Sequence, residues 1–323
     1  MLMLALYSVP KTNETTFSLP RMATKVNPKK QLSIVPPTKV KPLPLKSMQP
    51  QESYNLGNRS HLLYNIPHKS GTRTTLTLLK RLAKRNQFKL DYVIKEFELK
   101  VISESDLELK VQQRFHRSDP YLLAYHTCYR DYSQPEIGLD VKYISIIRDP
   151  IERFISFFYF KRKEARASVQ ASTFDDQWLD KDLDECVAAA DPECLPPSGS
   201  NHSSMNIWLF CGCADNCFKI NNRWAFNQAK RNFNEKFAVV GVLEKMVESL
   251  SMFEDKLPQF FKSALPIYKR AGSLDTDGDD DNLILNENED KKEVSEETKQ
   301  ILRRHLAMEV DFYQFVVDIL DNY

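Results

Sequence analysis

A chain of 323 residues with 28% charged and 42% hydrophobic side chains can bury a substantial core, as one large α/β domain or two small ones. Its formal net charge of +1 excludes bulk electrostatic attraction to polyanions, so nucleic acid is not an expected partner. Any anionic ligand must be held by a local basic cluster. No segment reaches the ~20 apolar residues of a membrane helix. Met1–Val9 (MLMLALYSV) is apolar but short and has no basic residues before it. It reads equally as the remnant of a signal anchor or as an unstructured start.

Residues 1–60 are expected to form a flexible stem, because from residue 10 onward they are rich in Pro, Lys, Ser and Thr and lack apolar periodicity. Residues 61–323 are expected to form the folded domain. Leu62–Ile66 (LLYNI) reads as a buried strand, and the leucine spacing over Thr74–Asn86 as a helix with Lys and Arg in its last turn. Tyr121–Tyr125 (YLLAY) and Val141–Ile147 read as further core strands. A helix is expected over Pro150–Lys163, with Ile151, Phe154, Ile155 and Phe158 on one stripe and Pro150 in the first turn. Residues 164–206 read as irregular. A helix over Arg223–Asn234, a strand over Phe237–Val242 and a helix over Leu243–Phe261, broken near Pro258, follow. Residues 271–297 read as an acidic loop. One last helix is expected over Glu296–Leu320, with Ile301, Leu302, Leu306, Phe312, Phe315, Val316 and Ile319 on its apolar face. Alternating strands and helices predict an α/β fold around a mostly parallel sheet.

Two strand–loop–helix junctions carry candidate chemistry. In YNIPHKSGTRTT (Tyr64–Thr75), the backbone N–H groups of Ser70, Gly71 and Thr72 would open a helix N-terminus, where the dipole favours an anion. Lys69 adds a mobile charge, and Thr72 and Thr74 add hydroxyl donors. The lysine precedes the glycine, so this is not a Walker A loop. A merely capped helix is the plainer reading. In YISIIRDPIERFISFFYF (Tyr143–Phe160), Arg148 ends a strand, where a guanidinium can grip phosphate, and Ser156 lies two helical turns on. The plainer reading is a structural pair between Arg148 and Asp149 or Glu152.

Five of the six cysteines, Cys186, Cys194, Cys211, Cys213 and Cys217, are clustered. Their spacing predicts local disulfides Cys186–Cys194 and Cys211–Cys217, leaving Cys128 and Cys213 as thiols or paired elsewhere. The rival is a zinc knuckle from Cys211, Cys213 and Cys217, which lacks a CxxC pair and a well-spaced histidine. Sequons at Asn13, Asn58 and Asn201 agree with the cysteines on an oxidising, secretory compartment.

Together, the segments YN…KSGTRT, YISIIRDPIERF, DECVAAADPEC, FCGCADNC, RWAFNQAKRNFNEKFAVVGVLE and DFYQF resemble the heparan sulfate and uronyl 2-O-sulfotransferases, arthropod pipe-type proteins included, over about Leu63–Tyr323. The resemblance implies a single sulfotransferase domain with a P-loop-like phosphosulfate-binding loop. Its donor would be 3′-phosphoadenosine 5′-phosphosulfate (PAPS), with no metal, and its acceptor a uronic-acid hydroxyl of a glycosaminoglycan-like polysaccharide. Lys69 would contact the 5′-phosphosulfate, and Ser70, Gly71, Thr72, Arg73 and Thr74 would complete that loop. Arg148 and Ser156 would hold the 3′-phosphate. A Golgi-lumen type II membrane protein, its anchor missing from or shortened in this chain, and a homotrimer are implied as well.

Three positions depart from the family pattern. Relatives carry the catalytic base as the second histidine of an H-x-H segment; here AYHTCYRDY offers His126 and then Cys128. The expected catalytic group is therefore His126 with Lys69, and Cys128 participates only if its thiol is tuned, because an ordinary thiol near ~8.5 is mostly protonated. Asp275–Asp281 (DTDGDDD) is acidic where relatives are basic, with Lys291 and Lys292 as substitutes, and Ile66 stands where relatives tend to place arginine. These departures support an alternative, a catalytically impaired protein of the same fold that binds glycan or PAPS. A nucleotide kinase lacks its motifs here.

Overall fold

The computed structural model describes residues 61–93, 104–115, 119–132, 141–168, 174–197, 205–271 and 292–323. All fall within one compact unit, Glu52–Tyr323. The expected stem, the three sequons, Asp275–Asp281 and Lys291 lie outside the described residues.

Five parallel strands form a single sheet in the order β2-β3-β1-β4-β5. Its centre is β1 (His61–Asn65), buried throughout and paired to both neighbours, Leu63 opposite Leu123 and Tyr143. Strands buried on both faces need continuous apolar runs, which YLLAY and FAVVGV supply. From β1 the chain passes through α1 (Thr72–Asn86) to β2 (Lys89–Val93) at one sheet edge. Through α2 (Glu104–Phe115) it returns to β3 (Tyr121–Tyr125) beside β1, then crosses to β4 (Lys142–Ile147) on β1's other side. That reversal opens a crevice at the carboxyl ends of β3, β1 and β4, where ligands bind in open α/β sheets.

Helix α3 (Pro150–Ala167) starts where Asp149 caps it, accepting from the Ile151 and Glu152 amides, with Pro150 in the first turn. The segment expected to be irregular is partly helical. α3 runs on to Ala167, and Asp175 and Asp182 cap two short helices, α4 (Asp176–Asp180) and α5 (Leu183–Ala188). Then come α6 (Ile207–Cys211), α7 (Arg223–Lys236), capped by Asn222, and the other edge strand, β5 (Phe237–Val242). The helix expected from Leu243 is divided: one 3-10 turn, then α8 (Met246–Lys256) and α9 (Pro258–Phe261), separated at Leu257. α10 (Ala264–Ala271) follows.

The last helix is also two, α11 (Glu296–His305) and α12 (Ala307–Asp321), meeting at Leu306 (φ −104°, ψ 34°). The break lets one apolar series serve two cores. Leu302 and Leu306 enter a cluster with Ile151, Ile155, Leu183 and Cys194. Phe312, Val316 and Leu320 enter the main core around the sheet. A straight helix would present both groups to one side.

On β5, Gly241 marks a close approach by α8. A Cβ there would lie 2.8 Å from the Ser249 Cβ and 3.0 Å from the Phe253 ring. Ser249 cannot retreat, because its hydroxyl accepts from the Val242 amide (2.8 Å) and donates to the Val242 carbonyl (3.0 Å). Gly241→Ala is expected to cost about 1–3 kcal/mol of stability, read as a lowered urea midpoint with an unchanged slope.

Candidate active site

The loop after β1 is held from several directions. The Ile66 amide continues the ladder to the Tyr125 carbonyl (2.9 Å), the Ser145 hydroxyl donates to the Asn65 carbonyl (2.7 Å), and the Asn65 amide group donates to the Leu209 carbonyl (2.8 Å). Two residues then take left-handed backbone, Lys69 (φ 63°) and Gly71 (φ 74°). Glycine relieves this at 71, where a Cβ would also meet Leu243 Cδ1 at 2.6 Å. α1 begins immediately after, with no side-chain cap on its first amides. Uncapped amides at Thr72–Thr74 present donors and positive dipole to an anion. Ser70 is fully buried, and its hydroxyl has no hydrogen-bond partner.

Cations converge on this loop. Burial, then the neighbouring Arg148 and Arg73, lower the Lys69 ammonium to about 8, partly offset by Glu164. Its Nζ sits 4.1 Å above the Phe160 ring. Arg148 donates to the Lys69 carbonyl (3.1 Å) and lies 3.9 Å from both Glu152 and Glu244. The structural pairing with Glu152 is therefore present together with the loop contact, while Asp149 is engaged by Arg303 (3.2 Å). Ser156 is buried two turns into α3 and makes no hydrogen bond to the loop.

The carboxyl end of β3 supplies His126, whose Nδ1 lies 2.7 Å from the Ile66 carbonyl. A carbonyl only accepts, so this bond places the proton on Nδ1 and leaves Nε2 as the basic nitrogen. Burial lowers His126 below the ordinary imidazole value; the Ile66 carbonyl opposes this and Arg153 adds to it. The neutral, proton-accepting form is thus the resting one near neutral pH.

The reading of Cys128 as a tuned thiol is corrected. Cys128 is joined to Cys213, Cα atoms 5.3 Å apart, and a disulfide sulfur carries no proton to exchange. Cys186–Cys194 and Cys211–Cys217 pair as their spacing predicts. These bonds also consume the three sulfurs of the zinc alternative.

Sequence reasoning missed the group that fixes the loop. Arg153 is 1% exposed. Its Nε donates to the His68 carbonyl (2.8 Å) and its Nη1 to the Asn206 side chain (2.7 Å). Asn206 in turn donates to the Arg148 carbonyl (3.2 Å), and its backbone amide donates to the buried Glu309 carboxylate (2.7 Å). Burial pushes Glu309 up to about 7, although the Asn206 and Ile207 amides and Arg153 favour its ionised form. One signal was in the sequence: Glu309 falls three residues before Phe312 and seven before Val316, a carboxylate inside an apolar helical stripe.

A sequence model of the sulfotransferase family matches residues 53–316. The chain belongs to this family. It is 31% identical to uronyl 2-sulfotransferase of Homo sapiens over 288 residues, covering 87% of this chain and 64% of that protein. It is 28% identical to heparan sulfate 2-O-sulfotransferase 1 of Xenopus laevis over 267 residues, 80% of this chain and 69% of the relative. The corresponding Gallus gallus protein is 32% identical over 201 residues, 60% of this chain and 51% of its own length. The chain thus spans just under two thirds of the length of the Homo sapiens uronyl 2-sulfotransferase.

Cys128–Cys213 closes a long loop, with a sequence separation of 85 residues, and sits two residues from His126. Cys128→Ser with Cys213→Ser is expected to cost about 2–4 kcal/mol of stability. Peptide mapping without reductant checks the pairing directly: it should recover all three pairs from the wild type and only the two local ones from the double variant.

Proposed function

We propose that this sulfotransferase moves a sulfuryl group from PAPS to the 2-hydroxyl of a uronic acid in a glycosaminoglycan-like polysaccharide. The observation that carries this reading is the juxtaposition, at the carboxyl ends of β1, β3 and β4, of two features: Arg148 bonded to the Lys69 carbonyl, and the His126 imidazole bonded to the carbonyl of Ile66, three residues before Lys69 on the same loop. The cations fit a polyanionic donor. Lys69 is deprotonation-prone because it is buried and Arg148 and Arg73 face it, α1 opens without a cap, and the Ser70 hydroxyl is buried without a partner. An anion among them would relieve all three.

Bound there, the donor supplies a sulfuryl group on a phosphate leaving group. Lys69, with the loop Ser70–Thr74, would face the 5′-phosphosulfate and offset charge growing on the departing phosphate oxygen. Arg148 and Ser156 would hold the 3′-phosphate. Catalysis is then positioning and charge stabilisation. The His126 Nε2 would accept the hydroxyl proton as the oxygen attacks sulfur. The Ile66 carbonyl, already bonded to Nδ1–H, would stabilise the imidazolium. The same reading places the protein in the Golgi lumen as a type II membrane protein assembling as a homotrimer; three disulfides support an oxidising compartment. Among the described residues no helix is long and apolar enough to cross a membrane. A binding protein that has lost turnover is the second reading, favoured by the disulfide at the position where relatives keep their second histidine.

Adenosine 3′,5′-bisphosphate is expected to raise the melting temperature, and Arg148→Ala to lose most of that rise. His126→Ala should keep the rise while transfer of labelled sulfate from PAPS to desulfated glycosaminoglycans falls ~10²–10⁴-fold. No thermal shift in the wild type at millimolar ligand overturns the donor assignment. A bound donor without transfer in the wild type selects the second reading. The pH profile supplies a further check. Lys69 must be charged and titrates at about 8, so kcat/KM should decline on an alkaline limb near that value. Lys69→Arg should move that limb upward.

A further inference from the structure

We infer that His68 is the positioning residue for the base: the imidazole of His68, stacked on His126, holds that ring and supports the positive charge it acquires. This rests on the reading of His126 as the proton acceptor. The two rings lie 3.8 Å apart between centroids and 20° from parallel, and both residues are largely but not fully buried.

His68 is unusually well fixed for a loop residue. Its carbonyl accepts from the buried Arg153 guanidinium, and the next residue is locked in left-handed backbone. Its ring makes no hydrogen bond within the described residues, so stacking is its main contact, with the Phe157 ring further off at 6.3 Å. A ring held by its face rather than its nitrogens acts through its π system, whose face is electron-rich.

The charges around the pair assign the roles. Arg153 from α3 and Lys69 next along the loop face His68, as does His126. Arg153 also faces His126, but there the Ile66 carbonyl favours the cation. Burial first, then any charge on His126 and the cations Arg153 and Lys69, hold His68 well below the ordinary imidazole value, so it stays neutral. When His126 takes the hydroxyl proton at Nε2, its charge goes from zero to +1 above a neutral ring. It returns to zero when that proton leaves for solvent, and His68 exchanges none. The position two residues beyond His126 cannot take this part, because Cys128 is sealed to Cys213.

The test pairs kinetics with histidine-ring NMR on the full chain. His68→Ala is expected to lower kcat ~3–30-fold with little change in KM for PAPS, and His68→Phe, which restores an unprotonatable ring, to recover most of the loss. In the wild type the two rings should titrate below ~6.5 as a coupled pair, protonation of one suppressing the other. His68→Phe should leave a single step for His126. Full activity in His68→Ala, equal loss in both variants, or independent titration of the rings at ordinary values overturns the inference and leaves the proposed function standing. A wild type that neither transfers sulfate nor responds to adenosine 3′,5′-bisphosphate overturns the proposed function, and this inference falls with it.

Discussion

A single buried guanidinium sets the geometry on which the site depends. Arg153 lies on α3, yet its donors reach the loop after β1 and the segment before α6, and the carboxylate that offsets its charge comes from α12. Burial lowers it to about 10, against the attraction of Glu309. A buried charge is tolerated only when its partners are in place, and removing one partner of such a set typically costs ~3–5 kcal/mol. Four segments distant in sequence are therefore held in one arrangement or none. The left-handed Lys69, the His68 ring and the Arg148–Lys69 contact all lie within one or two bonds of this node.

The disulfide Cys128–Cys213 constrains the other side of the same crevice. The segment after His126 is tied to the segment after α6, and the Tyr129 amide adds a bond to the Leu209 carbonyl (2.9 Å). Leu209 also receives the Asn65 side chain. The α6 segment is thus a common abutment for the ends of β1 and β3. A covalent bond at position 128 supplies rigidity at the cost of a titratable group, two residues from the histidine that stacks on His68.

Much of the frame was legible because physics wrote it locally. YLLAY and FAVVGV are continuous apolar runs, the signature of strands covered on both faces, and Pro150 after Asp149 marks a helix start. β2 (KLDYV) was not legible, since an edge strand with a polar composition looks like a loop. Nor was the break at Leu306, because periodicity alone does not reveal that successive turns face two different cores. At the site, Lys69, Gly71 and Arg148 announced themselves by residue type at strand ends. Cys128–Cys213 did not, because spacing informs only on short loops. His68 and Arg153 stood inside recognised motifs, but stacking and burial are properties of the folded state.

The order in which a chain is made gives Glu309 a further significance. The His68–Gly71 loop emerges early, with β1, and Arg153 follows on α3, while the carboxylate facing that guanidinium arrives only with α12. Until α12 docks, Arg153 lacks the carboxylate that faces it in the folded protein. Because domains fold as units during synthesis, the cationic half of the crevice is completed last although most of its residues are made first. The nascent chain therefore carries its cationic loop before the carboxylate that completes the Arg153 network.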